Sequence, residues 1–354
     1  MQGKKNLKGL TIDELASFVE EIGEKRYRAS QIFYWLYKKG VTSFAEMTDL
    51  SKSLRAKLDG IAYIEQIKLV TKQISHRDGT TKFLFELQDG AKIESVLIPA
   101  ESADESEGKR LTLCISTQVG CPLDCKFCAT GTIGYKRNLT ASEIVEQLLQ
   151  VQKQSQKRIT NLVYMGMGEP LMNYENVMKS VDIIINERSV AIGARHITIS
   201  TAGLADKIMR LADDGKKVKL AISLHTLDDS LRTKLMPISK KFNLDSLISA
   251  VQYYYKKTKR RPTYEYILFN GLNDTDEDVK RLIKLAKVVP CKINVIPFHS
   301  IDFTNPTGFA AHLQPSRRAE KFIEKLRKAN LTVMVRSSAG EDIDAACGQL
   351  AVKS

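Results

Sequence analysis

The sequence predicts an α/β chain: a parallel, barrel-like sheet with crossover helices, preceded by a small helical domain and an antiparallel β extension. Three observations carry this expectation. From about residue 110 onward, short β-branched runs alternate with amphipathic helical stretches, the pattern of parallel strands joined by crossover helices. Each of several runs has one apolar and one polar face. Three cysteines, Cys121, Cys125 and Cys128, fall within eight residues just after the first run.

The first 60 residues read as helical. Thr11 and Glu14 form a capping-box pattern ahead of Leu15, Phe18 and Val19. A second helix is expected over 29–39, where Ile32, Phe33, Leu36 and Tyr37 recur at helical spacing, and a third over 51–58. Residues 61–109 form the antiparallel extension. Strands at 80–87 and 92–98 flank Asp89-Gly90, a hairpin signal, and Asp78-Gly79 marks another turn. The polar, acidic stretch 100–109 reads as a loop.

The barrel spans 110–354. Its strands are expected at 111–117, 161–166, 196–201, 219–224, 263–269, 292–297 and 332–336, with helices such as 141–152, 244–255, 276–287 and 316–329 between them. Strands buried on both faces usually read as unbroken apolar runs. Here Thr112, Cys114 and Ser116 share a face, as do Thr198 and Ser200, then Ala221, Ser223 and His225, then Lys292 and Asn294. Polar faces turned inward describe a barrel with a polar lumen, and a ligand would sit there.

Composition sets outer limits. The 354 residues, 43% of them hydrophobic, suffice for one large domain with a small appendage. No apolar run approaches the roughly 18–20 residues of a membrane span. The opening Met1-Gln2-Gly3-Lys4-Lys5-Asn6 lacks the apolar segment of a secretory signal. The chain therefore reads as cytoplasmic and not membrane-bound. The net charge of +13 favours a polyanionic partner, although solubility alone would also account for it. The basic residues cluster at Lys256-Lys257-Thr258-Lys259-Arg260-Arg261, Lys216-Lys217-Val218-Lys219 and Lys240-Lys241. Such runs also occur as solvated helix ends and loops.

The strongest chemical signal is Cys121-Pro122-Leu123-Asp124-Cys125-Lys126-Phe127-Cys128, a C-x3-C-x2-C spacing. Three thiolates can hold three irons of a [4Fe–4S] cube. The fourth iron stays open to chelate the amino and carboxylate groups of S-adenosylmethionine (SAM), whose reductive cleavage gives a 5′-deoxyadenosyl radical. The alternative is structural zinc, which wants four ligands, usually as paired short spacings; only three cysteines are local here. Cys291, in Pro290-Cys291-Lys292, reads as a buried strand residue without chemistry.

The cysteine spacing, with Phe127 before the last cysteine, resembles the radical SAM superfamily. Met165-Gly166-Met167-Gly168-Glu169-Pro170 resembles that superfamily's GGE-type strand end. The resemblance implies a partial (β/α)6 radical SAM barrel, with Gly168, Glu169, Ser200, Ser223, Leu224 and His225 contacting SAM. His299, in Ile296-Pro297-Phe298-His299, stands at a further SAM-contacting position that the resemblance implies, where relatives often carry asparagine.

The C-terminal Gly340-Glu341-Asp342-Ile343-Asp344-Ala345-Ala346-Cys347-Gly348-Gln349-Leu350, together with Cys114, resembles the RlmN/Cfr family of RNA methyltransferases over nearly the whole chain. That resemblance makes the N-terminal helices an RNA-binding domain and 340–350 a catalytic loop. It implies a [4Fe–4S] cluster and two SAM molecules per turnover. It makes Cys347 the methyl carrier, Cys114 the resolving thiol that closes a transient disulfide with Cys347, and Glu94 the proton acceptor. A solvent-facing strand glutamate would look the same as Glu94 in sequence. Implied partners are 23S rRNA, tRNA and an external donor such as a flavodoxin-type reductant, with the enzyme a monomer.

The RlmN type methylates C2 of adenosine 2503 in 23S rRNA and adenosine 37 in tRNA; the Cfr type methylates C8. The 165–171 and 290–294 stretches resemble the RlmN type, and Cys128-Ala129-Thr130-Gly131 the Cfr type. A radical SAM enzyme with a non-RNA substrate and a zinc-bearing RNA-binding module without catalysis are the remaining alternatives.

Overall fold

A computed structural model describes residues 3–99, 110–336 and 338–352. The 100–109 stretch expected to be a loop lies outside the described residues. The N-terminal domain holds three helices: α1 (Ile12–Glu21), α2 (Tyr27–Tyr34) and α3 (Lys52–Ile61). The predicted capping box forms, with the Glu14 amide donating to Thr11 Oγ1 and the Thr11 amide to the Glu14 carboxylate at 2.8 Å. The helix expected over 29–39 is α-helical only to Tyr34. It widens into a π turn over Trp35–Lys39, ended by left-handed Gly40.

The central sheet has ten strands, and their order in space is their order in sequence. Three form the antiparallel extension: β1 (Lys68–Ile74), β2 (Thr81–Glu86) and β3 (Lys92–Pro99). The rest are β4 (Leu111–Cys114), β5 (Asn161–Tyr164), β6 (Ile197–Thr201), β7 (Lys219–Ser223), β8 (Thr263–Leu268), β9 (Lys292–Pro297) and β10 (Val333–Val335). β3 meets β4 antiparallel, and every pairing from β4 to β10 is parallel. Parallel neighbours need crossovers. They are supplied by α4 (Ala141–Ser155), α5 (Tyr174–Ile185), α6 (Ala205–Asp213), the pair α7 (Asp229–Leu235) and α8 (Leu244–Thr258), α9 (Asp276–Val288) and α10 (Ala319–Lys328). Six strand–helix units and a final strand make the expected partial barrel. β1 has no singled-out signal in the sequence because nearly all its residues are exposed.

Two contacts position the site. The helical domain docks on α4: Lys8 Nζ lies 2.6 Å from Glu146 Oε2, with both side chains buried, and Gly9 passes so close to Ser142 that a Cβ would meet its amide at 2.8 Å. At the other side, the chain leaves β10 and crosses to the far edge of the sheet. There the Gly340 amide donates to Asp78 Oδ2 at 2.9 Å, the His76 amide to Asp342 at 3.2 Å, and Lys82 Nζ to the Asp344 carbonyl at 3.3 Å. The last loop thus bridges the two edges of the open barrel. Among the described residues no helix is long and apolar enough to cross a membrane.

Candidate active site

The cysteine loop is held at both ends. Its stem is a two-stranded ribbon, Gln118–Gly120 against Tyr135–Asn138, which the sequence did not signal because YKRN carries no apolar alternation. Gly120 has φ +77°, and a Cβ there would overlap the Gly134 carbonyl. Within the loop the Cys128 amide donates to the Cys125 carbonyl at 3.1 Å, and the Lys126 amide to the Leu235 carbonyl at 2.9 Å. Cys121, Cys125 and Cys128 line one open cleft of about 150 Å³. The far wall holds Gly168, Glu169, Ser200, Ser223 and His225, at or just past the C-terminal ends of parallel strands, with Glu265 from within β8. Among the described residues no three His, Cys, Asp or Glu side chains converge on a single metal ion. A cube asks for less, because each thiolate takes its own iron.

The three cysteines are half-buried, and desolvation of their thiols pushes them up, Cys121 to about 12. They become thiolates when iron displaces their protons. Fully buried Arg232 on α7 lies beneath. Its guanidinium donates to the carbonyls of Ala202 at 2.7 Å and Ser223 at 3.0 Å and to Ser239 Oγ at 2.7 Å. It ties β6 to β7 and brings a cation near Cys125.

Wall residues fit a bound cofactor in one specific way. The Ile267 amide donates to His225 Nδ1 at 3.1 Å, so the proton sits on Nε2. Burial first, then Arg232, lowers the imidazole to about 3, so it stays neutral. Nε2 is buried and has no hydrogen-bond partner. It is a donor left for a ligand in the cleft. Phe127 packs edge-on against the same ring, with centroids 4.6 Å apart.

Glu169 uses its carboxylate inside the protein, accepting from the amides of Ala202 at 2.7 Å and Leu171 at 3.0 Å. Burial raises its pKa to about 7. Gly168 is required by packing: at φ +101° a Cβ would meet Gln118 at 2.5 Å.

Cys114 and Cys347 line a second, smaller cavity with Val96, Ile98 and Leu350. Met165, Arg336, Cys347 and Gly348 line both cavities. Cys347 therefore stands at the junction between the cysteine cleft and Cys114. All six cysteines are free. Gly348, at φ +83°, packs against the Phe127 carbonyl, and the Thr130 hydroxyl donates to the Leu350 carbonyl at 2.6 Å.

Arg336, at the end of β10, was not singled out from the sequence. Its Nη1 lies 3.3 Å from Met165 Sδ, and its charge faces Cys347, Glu265 and Cys114. Strand alternation alone would have placed it inward. Glu265 accepts from Asn294 Nδ2 at 2.6 Å.

Three of the expected site residues line neither cavity. Glu94 is buried, not solvent-facing. It pairs with Lys82 at 3.7 Å and accepts from the Ala351 amide at 3.0 Å. It shares a strand face with Val96, which is paired with Cys114. Leu224 is in the core. His299 is buried, 3.4 Å from Glu341 of the last loop.

The profile of the "Ribosomal RNA large subunit methyltransferase N-terminal domain" matches residues 5–64, and that of the "Radical SAM superfamily" matches 115–286. A protein of Thermotoga neapolitana named "Probable dual-specificity RNA methyltransferase RlmN" is 46% identical over 99% of this chain and 98% of its own length. The chain belongs to the RlmN family. A like-named protein of Clostridium novyi is 43% identical over 98% of the chain and 97% of its own length. The crystal structure of a radical SAM methyltransferase from Sphaerobacter thermophilus superposes with a TM-score of 0.87 at 39% identity. It covers 98% of this chain and 99% of that one. As an RlmN-family protein the chain is a radical SAM enzyme of the methyltransferase class, and the family implies a [4Fe–4S] cluster and SAM. Cys121, Cys125 and Cys128 are the residues that would hold the cluster.

Proposed function

We propose that this enzyme methylates C2 of an adenine in RNA, adenosine 2503 of 23S rRNA and adenosine 37 of tRNA. Cys347 is the methyl carrier, Cys114 the resolving thiol and Glu94 the proton acceptor. The observation that carries the reading is the shared cavity of Cys114 and Cys347, opening at Cys347 and Arg336 onto the cysteine cleft. The relatives named as dual-specificity RNA methyltransferases support two RNA substrates.

Adenine C2 is an electrophilic amidine carbon, so direct transfer from SAM, itself an electrophile, fails there. When bound, the cluster and SAM supply the methyl group and a 5′-deoxyadenosyl radical. The chain's own residues do the rest. His225 Nε2–H and the strand ends around Ser200 and Ser223 orient the cofactor. Cys347 carries the one-carbon unit to the base. The ring proton passes to Glu94, and Cys114 attacks the Cys347 sulfur to release the methylated base and leave a disulfide. Two SAM molecules are consumed per methyl delivered, and a flavodoxin-type donor supplies electrons. The target adenine leaves its stack to enter the lumen, as in other base-modifying enzymes.

The test is mass spectrometry of nucleosides from 23S rRNA and tRNA incubated anaerobically with reconstituted enzyme, reductant and SAM. 2-Methyladenosine is the expected product. 8-Methyladenosine would reverse the carbon assignment. Neither, from enzyme that cleaves SAM, would overturn the RNA substrate.

A further inference from the structure

The end of the barrel opposite the cysteine cleft carries a concentration of positive charge. Residues on one strand face recur at every second position. Counting back along β7 from Ser223, the inward face passes through Ala221 to Lys219. On β4, Cys114 leads through Thr112 to Arg110. On β9, Asn294 leads to Lys292. The lumen that is polar at its catalytic mouth is thus cationic at its floor, roughly 13 Å away at about 3.3 Å per strand residue.

These groups lie close enough to act on one another. The Lys219 ammonium is depressed by partial burial and then by Arg110, Lys292 and Arg260, and His196 by burial and then Arg195, Lys219 and Arg110. On β8 the inward position, Arg261, turns away to the Cys291 carbonyl at 2.8 Å and Thr332 Oγ1 at 3.0 Å. Arg260 faces the cluster of charge instead.

Among the described residues, none of Arg110, Lys219, Arg260 and Lys292 has a carboxylate within ion-pair distance. The charge continues onto the outside of the barrel. A groove of about 610 Å³ there includes Arg260 with Arg158, Arg195 and Lys217. No phenylalanine, tyrosine or tryptophan lines it.

We propose that the barrel floor and this groove form a second RNA-contacting surface, in which Arg110, Lys219, Arg260 and Lys292 take backbone phosphates of the substrate RNA. The inference rests on the RNA substrate proposed above. Cations that repel one another are a standing cost to the fold, which a polyanion relieves. A track of charge running from the floor around the barrel suits a ligand with charge at every nucleotide. With four cations and His196 as its one ring, the groove offers charge for phosphates more than platforms for stacked bases. Contacts far from the reacting base add to the affinity that holds the RNA on the enzyme.

The experiment compares wild-type holoenzyme with the full-length Arg110→Gln/Lys219→Gln/Lys292→Gln variant. Neutralisation removes repulsion, so the variant is expected to fold, with cluster absorbance and RNA-free SAM cleavage unchanged. Affinity for a 23S rRNA fragment and for tRNA is measured against salt concentration. Each lost phosphate contact lowers the slope of log K against log[salt] by about 0.7–0.9, so three lower it by roughly 2. Affinity at physiological salt falls by about tenfold or more, while methylation at saturating RNA is unchanged. Wild-type affinity and slope in the variant would overturn the proposal. So would unchanged RNA binding with a selective loss of turnover driven by a flavodoxin-type donor, against normal turnover with dithionite; that result would assign the surface to an acidic protein. Failure of the RNA reading itself shows separately, as wild-type enzyme that cleaves SAM and yields no methylated adenosine.

Discussion

The Ala129 amide donates to the Gly348 carbonyl at 2.7 Å, fastening the last loop of the chain to the helical turn that follows Cys128. One hydrogen bond thus couples the position of Cys347 to the loop that would hold the cluster. Gly348 makes the approach with φ +83° and a Cβ direction 3.0 Å from the Phe127 carbonyl. Left-handed backbone costs an alanine about 1–2 kcal/mol, and the contact adds to that. Gly348→Ala is therefore expected to keep cluster iron and RNA-free SAM cleavage while single-turnover RNA methylation falls roughly tenfold. An unchanged methylation yield would show that the loop tolerates the shift.

The two cysteines outside the cluster motif separate the steps. Cys347→Ala is expected to leave SAM cleavage intact and abolish methylation; methylated RNA from it would end the carrier role. Cys114→Ala is expected to accumulate a covalent protein–RNA adduct, visible as a band resistant to denaturant. Clean product release would remove Cys114 from the scheme. Cys125→Ala is expected to lose the brown absorbance and the iron.

Arg336 bears on the resolving thiol. Burial pushes Cys114 up to about 12, and Arg336 works against that rise. Replacing Arg336 with Gln raises the thiol further, so less thiolate is present at neutral pH. Adduct resolution should slow there and recover as pH increases, moving the alkaline limb of the pH–rate profile upward. Arg336→Lys should restore part of the rate. A profile that falls in height without moving would make Arg336 structural only.

His225→Asn tests the orphaned donor. The asparagine oxygen can accept from the Ile267 amide as Nδ1 does, while the donor at Nε2 is lost. One hydrogen bond of about 1 kcal/mol predicts SAM binding weakened roughly fivefold by calorimetric titration of the reconstituted enzyme. Unaltered affinity would show that SAM does not use Nε2.

The Lys8–Glu146 pair tests the docking of the helical domain. Lys8→Met leaves Glu146 buried without its cation, and breaking a buried pair costs about 3–5 kcal/mol. Thermal unfolding should begin earlier in Lys8→Met and recover in Lys8→Met/Glu146→Leu, where no charge is stranded. Equal stability of Lys8→Met and wild type would mean that water reaches the pair.

Much of the architecture is local and was legible. Period-two alternation marked the inward faces, so Cys114, Ser200, Ser223 and His225 were expected in a lumen and are found lining cavities there. The capping box at Thr11 is read within four residues. Where local patterns are weak the reading thinned. β1 is exposed along nearly its whole length, and the ribbon strand Tyr135–Asn138 is polar and mostly exposed or half-buried. The change from α to π winding at Trp35 left the apolar spacing of Leu36 and Tyr37 unaltered.

The sequence by itself determined the cysteine spacing, the order of strands and helices, and which strand faces are polar. These follow from residue chemistry and periodicity over a few positions. Only the tertiary structure decided what meets across the barrel. The last loop reaches Asp78 and Lys82 and sets Cys347 beside the cysteine cleft. Arg336 comes to face Cys114, and Glu94 is buried against Lys82. Arg110, Lys219 and Lys292 gather at one floor. Each of these depends on the curvature of a sheet whose two edges are joined by a loop, and that curvature is a property of ten strands together.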